Sequence, residues 1–399
     1  MDAIRSNYRW VLPFAAILIA FIIAIAAGTL GVAYGPIMAV DVSDDGRYVI
    51  SSHRSNHLVL WNIEEERHKV LSSDANIYSA YFVPGQRTFL WQDLNDSVRV
   101  QSTDGEVLKQ FPHFPTYGHA MDTSLTHYLS ANETWNLFHG YGDALKPLLR
   151  DSNSPSLTGS GKLLNLGLSN NDFFITAGKG HGIVDKRPIT DETPTVRPVS
   201  DLRFSSNFPG VVLWSYETLK PVAKFDGNSS KTHATISPDG QWVVSADEAG
   251  IGLFWNTDRS ETRHRLARYY SGIYLEDTPF ELGDLRNRDK SGLINAPPGL
   301  NDFTIAVAFI HNSEYYLRFG NNSHFAALFK TGSPWPVKYF DLGESPKLVT
   351  YGSQYSRNTA IATSPEAGIL AMGHQSTGGI SVYQFDPDQL ILERIWVVE

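Results

Sequence analysis

The chain has 399 residues, 19% of them charged and 42% hydrophobic, with 32 glycines and 21 prolines. This mixture does not suggest disorder and suits an all-β, turn-rich protein, and a net charge of −9 lacks the basic footprint that nonspecific nucleic-acid binding requires. The absence of cysteine excludes disulfides, thiolate metal sites and thiol catalysis, and fits either a reducing or an oxidising compartment.

Residues 1–10 read as a short cytoplasmic tail. Val11 to Val32 is an uninterrupted run of 22 residues without a charge, and 11–33 is predicted to be a transmembrane signal-anchor helix. At 1.5 Å per residue, roughly 20 apolar residues cross a ~30 Å hydrocarbon core. Arg5 and Arg9 precede the run, and the first charges after it are Asp41, Asp44 and Asp45. Positive residues favour the cytoplasmic side, so the N-terminus is expected inside and the remainder of the chain outside. Trp10 and Tyr34 stand where aromatic rings anchor helix ends, and Pro13 falls in the first turn, where its missing N–H does no harm. A cleavable signal peptide is the rival reading, because Ala24-Ile25-Ala26 resembles a cleavage site; the hydrophobic run continues to Ala33, which favours an uncleaved anchor. Ala16, Ala20, Ala24 and Gly28 recur every four residues, a stripe of small side chains suited to packing against another membrane helix.

From residue 36 onward the chain repeats a template. Residues 39–61 read AVDVSDDGRYVISSHRSNHLVLW and 233–255 read HATISPDGQWVVSADEAGIGLFW. Each holds an apolar run, a Ser-x-Asp-Gly turn, a second apolar run, a loop and a third run closing on Trp-Asn. Third runs of this kind occur at 58–61, 97–101, 134–138, 211–214, 253–255, 326–329 and 381–385, about forty residues apart except for two gaps of nearly double length. Short strands joined by tight turns at this period predict a β-propeller. The long gaps contain irregular stretches at 179–209 and 269–300, rich in Pro and charge, which read as insertions, giving seven blades over 36–399 with eight as the alternative count. The last blade is expected to be built wholly from C-terminal sequence, with 392–398 as its outer strand and ring closure by packing.

These motifs resemble the WD-repeat family of β-propellers, most clearly in the first and fifth blades. The chain departs from the family pattern: third strands end Trp-Asn at best and never Trp-Asp, and the Gly-His pair before each blade is not regular. The aspartate of the turn before the third strand is replaced by Ser55-Asn56 in the first blade. The buried His/Ser/Asp/Trp network implied by the resemblance is therefore expected to be missing from most blades, and an exported bacterial propeller fits better than a eukaryotic-type one.

Catalytic and ligand motifs are sparse. Gly159-Ser160-Gly161-Lys162 ends like a phosphate-binding loop, but Leu163 follows and Ser156 takes the place of the first glycine. There is no G-x-S-x-G elbow and no H-E-x-x-H. His53 and His57 are placed in a loop between strands, where a four-residue spacing does not chelate. His113, His119 and His127, with Asp122, form a loose group, and Asp41, Asp44 and Asp45 read as an ordinary turn. Asn95, Asn132, Asn228 and Asn321 begin glycosylation triplets whose use depends on the organism.

The insertions carry the candidate contacts. The first holds Arg203, Phe204 and Phe208, and the second holds Tyr269, Tyr270, Tyr274, Phe280 and Leu282 among charges, the composition of an interface core. The expected protein is a non-enzymatic, single-pass scaffold or accessory subunit at a bacterial inner membrane. Its N-terminus is cytoplasmic and its propeller periplasmic, and it needs no cofactor or metal. Its partners are proteins of a membrane assembly, with lipid contacted by the helix. The alternatives are an exported propeller enzyme or ligand-binding protein using the central channel, and a cleaved, soluble periplasmic binder.

Overall fold

The computed structural model describes residues 34–77, 80–114, 116–132, 137–141, 144–148, 163–168, 173–178, 182–183, 196–197, 204–205, 210–225, 232–247, 252–257, 264–266, 304–320, 324–332, 336–343, 360–374 and 377–399. The expected membrane segment, 11–33, lies outside them, as does the whole of the second insertion. Among the described residues no helix is long and apolar enough to cross a membrane.

Seven antiparallel sheets follow one another along the chain. Blade 1 comprises Ile37–Val42, Tyr48–His53, Leu58–Asn62 and Arg67–Ser72, and blade 2 Tyr81–Phe82, Thr88–Gln92, Ser97–Ser102 and Val107–Pro112. Blade 3 comprises Thr116–Met121, Tyr128–Asn132, Leu137–His139 and Lys146–Pro147, and blade 4 Leu163–Leu168, Phe173–Gly178, Gly210–Ser215 and Pro221–Phe225. Blade 5 comprises Thr232–Ile236, Trp242–Asp247, Gly252–Asn256 and His264–Leu266, and blade 6 Thr304–His311, Tyr315–Gly320, Phe325–Lys330 and Pro336–Asp341. Blade 7 comprises Ile361–Ser364, Ile369–Gly373, Ile380–Asp386 and Ile391–Val398. First strands touch the neighbouring blade all the way round, and that of blade 1 lies against the first and second strands of blade 7. The protein is a seven-bladed β-propeller, and the eight-blade alternative fails.

Burial explains the sequence pattern. Middle strands are covered on both faces by neighbouring blades, so Tyr315–Gly320 and Ile369–Gly373 are buried at every position and read as continuous apolar runs. Fourth strands face outward, and RHKVLS at 67–72 is largely exposed and polar. The apolar clusters lie between blades rather than within them. Ile50, Leu60, Phe82, Phe89 and Trp91 join blades 1 and 2, while Leu317, Leu328, Leu370, Met372 and Phe385 join blades 6 and 7.

The repeated turn has a shared mechanism. In blade 1 the Tyr48 N–H donates to Ser43 Oγ (3.0 Å) and the Arg47 N–H to Asp45 Oδ1 (3.1 Å). In blade 5 Trp242 donates to Ser237 Oγ (2.9 Å) and Gln241 to Asp239 Oδ1 (3.0 Å). Ser and Asp thus satisfy backbone donors that the tight turn would orphan. Glycine follows because Gly46 has φ +68°, a left-handed conformation that costs other residues about 1 kcal/mol or more.

One expectation needs correction, and a second, that the Trp network is missing from most blades, can be made specific. The first insertion, 179–209, joins the second and third strands of blade 4 and contains short paired pieces. Gly182–Ile183 pairs with Phe204–Ser205, and Val196–Arg197 extends the blade beyond its fourth strand. Local sequence gave no sign of them because two-residue strands have no readable periodicity. The Trp network also survives in part. Trp61 Nε1 donates to Ser51 Oγ and Trp214 Nε1 to Thr176 Oγ1, each at 2.8 Å. In both blades the hydroxyl residue faces the position two before the Trp, Val59 and Val212 respectively, so one register produces both bonds. Blade 2 keeps an aspartate before its third strand, where Asp93 Oδ1 accepts the Asn95 and Ser97 N–H groups, both at 2.9 Å.

Among the described residues the ring closes without strand exchange, the outer strand of blade 7 being Ile391–Val398. Closure relies on Ile37, Val42, Ile369, Ala371 and Val382 packing together, with Ser364 Oγ donating to the Asp44 carbonyl (2.7 Å). A Cβ on Gly46 would stand 2.4 Å from Ala367 Cβ, so Gly46→Ala both strains the turn and forces blades 7 and 1 apart. It is expected to lower the stability of the full chain by about 2–4 kcal/mol in urea unfolding. Gly105→Ala, also at positive φ but in open space, costs only about 1 kcal/mol.

Candidate functional site

A propeller offers three kinds of site: the central channel, the two faces and the outer rim. The channel is lined by first strands, and their acidic and histidine residues are Asp41, His119, His233 and His311. They stand at different heights, from the second residue of the strand in blade 5 to the last in blade 6. His119 turns into its own blade and pairs through Nδ1 with Tyr128 OH at 3.1 Å. Among the described residues no three His, Asp or Glu side chains are grouped to hold a metal ion.

Asp41, Asp44 and Asp45 do more than form a turn. Asp41 Oδ2 accepts the Phe82 N–H (2.7 Å), Asp44 accepts the Gly85 N–H, and Asp45 Oδ2 accepts from Arg87 Nε (2.8 Å). Three carboxylates of blade 1 therefore stitch it to the first strand and turn of blade 2. Burial pushes the Asp41 carboxyl up to about 7, against the opposing pull of the Phe82 and Val42 N–H groups. Burial also raises Asp44, and raises Glu366, with the Asp44 charge adding to the latter shift. Asp45 lies below the ordinary range: burial works against this, but bonds from Ser43, the Arg47 N–H and Arg87 outweigh it.

The entry of the chain into the ring is a second constellation. Tyr34 packs its ring against His57 (5.0 Å), His53 (5.5 Å) and His68 (6.1 Å). The Arg54 N–H donates to the Pro36 carbonyl (2.9 Å), Ser55 Oγ donates to the Tyr34 carbonyl, and His53 Nδ1 lies 3.2 Å from the Gly35 carbonyl. Burial lowers His53 to about 4, so its ring is neutral near pH 7, and burial lowers His68 as well. His53 closes the second strand of blade 1 rather than lying in the loop expected for it; only His57 is in the loop.

The expected group of His113, His119 and His127 is not brought together. His113 pairs with Ser130 Oγ (2.8 Å), and burial lowers it to about 4. His127 instead joins Asp122, whose Oδ1 accepts the Thr126 and His127 N–H groups at 2.7 and 2.6 Å. Asp122 is held down to about 2: burial raises it, but bonds from Ser124, His127 and Thr126 prevail. The sequence reading missed two neighbours, His139 and Tyr216, whose rings lie 5.6 and 6.4 Å from that of His127. Tyr216 comes from blade 4, and only the ring's closure reveals it as a neighbour.

Of the insertion residues, Phe204 is placed in the pair with Ile183. Arg203, Phe208, Tyr269, Tyr270, Tyr274, Phe280 and Leu282 lie outside the described residues, as do Ala16, Ala20, Ala24 and Gly28. The rim adds a surface that sequence reasoning did not single out. Val70, Val107, Leu108, Val337, Ile391, Ile395 and Val397 are 38–46% exposed, all on fourth strands of the consecutive blades 6, 7, 1 and 2. Alternating side chains with a backbone edge that pairs with no further strand among the described residues form a surface able to bind one.

No protein-family model matches the chain, and no curated protein matches its sequence. Many solved structures resemble it. One is the crystal structure of the Myceliophteria thermophila Cps50 (Swd1) β-propeller domain, with a TM-score of 0.57 and 11% identity over 90% of this chain and 99% of that one. At that identity the likeness establishes the propeller fold alone.

Asp41 supplies a pH test. Because the folded protein holds its proton up to about 7, against an ordinary value of 3.8, the contribution of Asp41 to stability is full below pH 4 and is lost as pH rises towards 7. Asp41→Asn keeps an acceptor for the Phe82 N–H without the buried charge. It is expected to be more stable than the parent by about 2 kcal/mol at pH 8 and no more stable at pH 4, measured by urea unfolding at both pH values.

Proposed function

We propose that this protein is a membrane-anchored, non-enzymatic scaffold or accessory subunit, holding partner proteins on its propeller and through its N-terminal helix. The observation that carries the reading is continuity: the 22-residue uncharged run ends at Val32, and the first strand of the ring begins at Ile37. A rigid ring attached so closely to a spanning helix positions whatever it binds at a fixed distance from the bilayer. Supporting this, the described first-strand residues offer no convergent acid, base or nucleophile in the channel, whereas half of the rim exposes apolar strand edges. The basic residues before the helix orient the propeller to the extracytoplasmic side, at a bacterial inner membrane.

The full chain is expected to stay with membranes after alkaline carbonate extraction and to show the intact mass of residues 1–399. In mild detergent it should migrate as a complex larger than the monomer. Ala20→Leu with Ala24→Leu should weaken association of the helix about tenfold, because the bulky side chains hold the two backbones apart. A soluble product beginning after Ala26, or a monomer unaffected by the double substitution, would contradict the anchored assembly.

A further inference from the structure

The two faces of the ring differ in a way the blade repeat does not require. Connections from first to second and from third to fourth strands leave one face, here the turn face. Connections from second to third strands, and from each blade to the next, leave the other. Between the strands given above, every connection on the turn face is 3 to 7 residues long. The four long ones, 148–162, 179–209, 267–303 and 342–360, all leave the opposite, long-loop face. Charge divides the same way. Turn-face connections contain 17 acidic and 5 basic residues, while long-loop connections, more than twice as long in total, contain 18 acidic and 15 basic.

The N-terminal segment also enters on the long-loop face. Tyr34 is seated on the turn between the second and third strands of blade 1, held by the Arg54, Ser55 and His57 contacts described above. We propose that the propeller rests on the lipid bilayer with its long-loop face, directing the acidic turn face away from it. This deepens the anchored reading and rests on it.

Reach decides the geometry. Residues 33–36 can span at most about 14 Å when fully extended, and Tyr34 is already packed on blade 1. The turn face lies a strand length farther off, about 20 Å for six residues. A spanning helix that ends at Val32 therefore holds the long-loop face of blade 1 at the headgroups and leaves too little chain for the ring to turn over. Electrostatics acts in the same direction, since the short turn-face connections carry 12 excess negative charges that anionic lipid repels.

The cysteine-free sequence makes the test direct. Single-cysteine variants Asn95→Cys and Glu399→Cys mark the long-loop face, and Glu65→Cys and Asp104→Cys the turn face; all four positions are exposed. Each is labelled with a donor dye in the full chain, which is reconstituted into vesicles of phosphatidylethanolamine and phosphatidylglycerol carrying a headgroup acceptor dye. After flotation, energy transfer from Asn95 and Glu399 should exceed that from Glu65 and Asp104 by about twofold or more. Equal transfer from all four sites, or the reverse order, in protein that floats with the vesicles overturns the orientation while leaving the anchor intact. Protein that fails to float removes the anchor and the orientation together.

Discussion

The structure depends on side-chain packing between blades 7 and 1. The strands that meet there, Ile37–Val42 on one side and Ile361–Ser364 with Ile369–Gly373 on the other, share no ladder of backbone hydrogen bonds. Their contact is held by buried apolar groups and two close approaches of glycine, Gly46 on Ala367 and Gly373 on Ile37. Apolar clusters of the same kind join blades 1 and 2, 2 and 3, 4 and 5, 5 and 6, and 6 and 7, but this seam must also join residues more than three hundred positions apart in the chain. Closing so long a loop is entropically costly, and the tight interdigitation of the seam offsets that cost.

Given a closed ring, the remaining features take their places. Blade 1 is gripped on both sides: apolar packing and the Ser364 bond tie it to blade 7, and the Asp41, Asp44 and Asp45 carboxylates tie it to blade 2. It is also the blade that receives the N-terminal segment through Tyr34. It also carries the most cross-blade polar bonding of the described seams. The partially titrating Asp41 places a pH-sensitive group within that reinforcement.

Much of the fold was legible because propeller blades bury both faces of their middle strands. Continuous runs such as VISS, LVLW and VVLW stand out from polar surroundings, and Ser-Asp-Gly turns punctuate them. Fourth strands were harder to read because RHKVLS and ILERIWVV look outward and mix charge with isolated apolar residues. The Trp–Ser and Trp–Thr bonds were underestimated because they follow from strand register, which the sequence does not display. Tyr216 beside His127 and Phe82 beside Asp41 are contacts across blade boundaries, set by tertiary closure alone. The loop residues singled out for partner binding were found from composition, and of them only Phe204 falls on a described strand.

Hydrogen exchange of the full chain tests the central claim, that side-chain packing without a strand ladder closes the ring, most directly. Amides of Ile37–Val42 and Ile361–Ser364 should exchange as slowly as those of Thr232–Ile236, a first strand deep within the uninterrupted arc of blades. Exchange at the blade 7 and blade 1 strands that is faster by orders of magnitude, with Thr232–Ile236 still protected, would show an open seam and contradict the account.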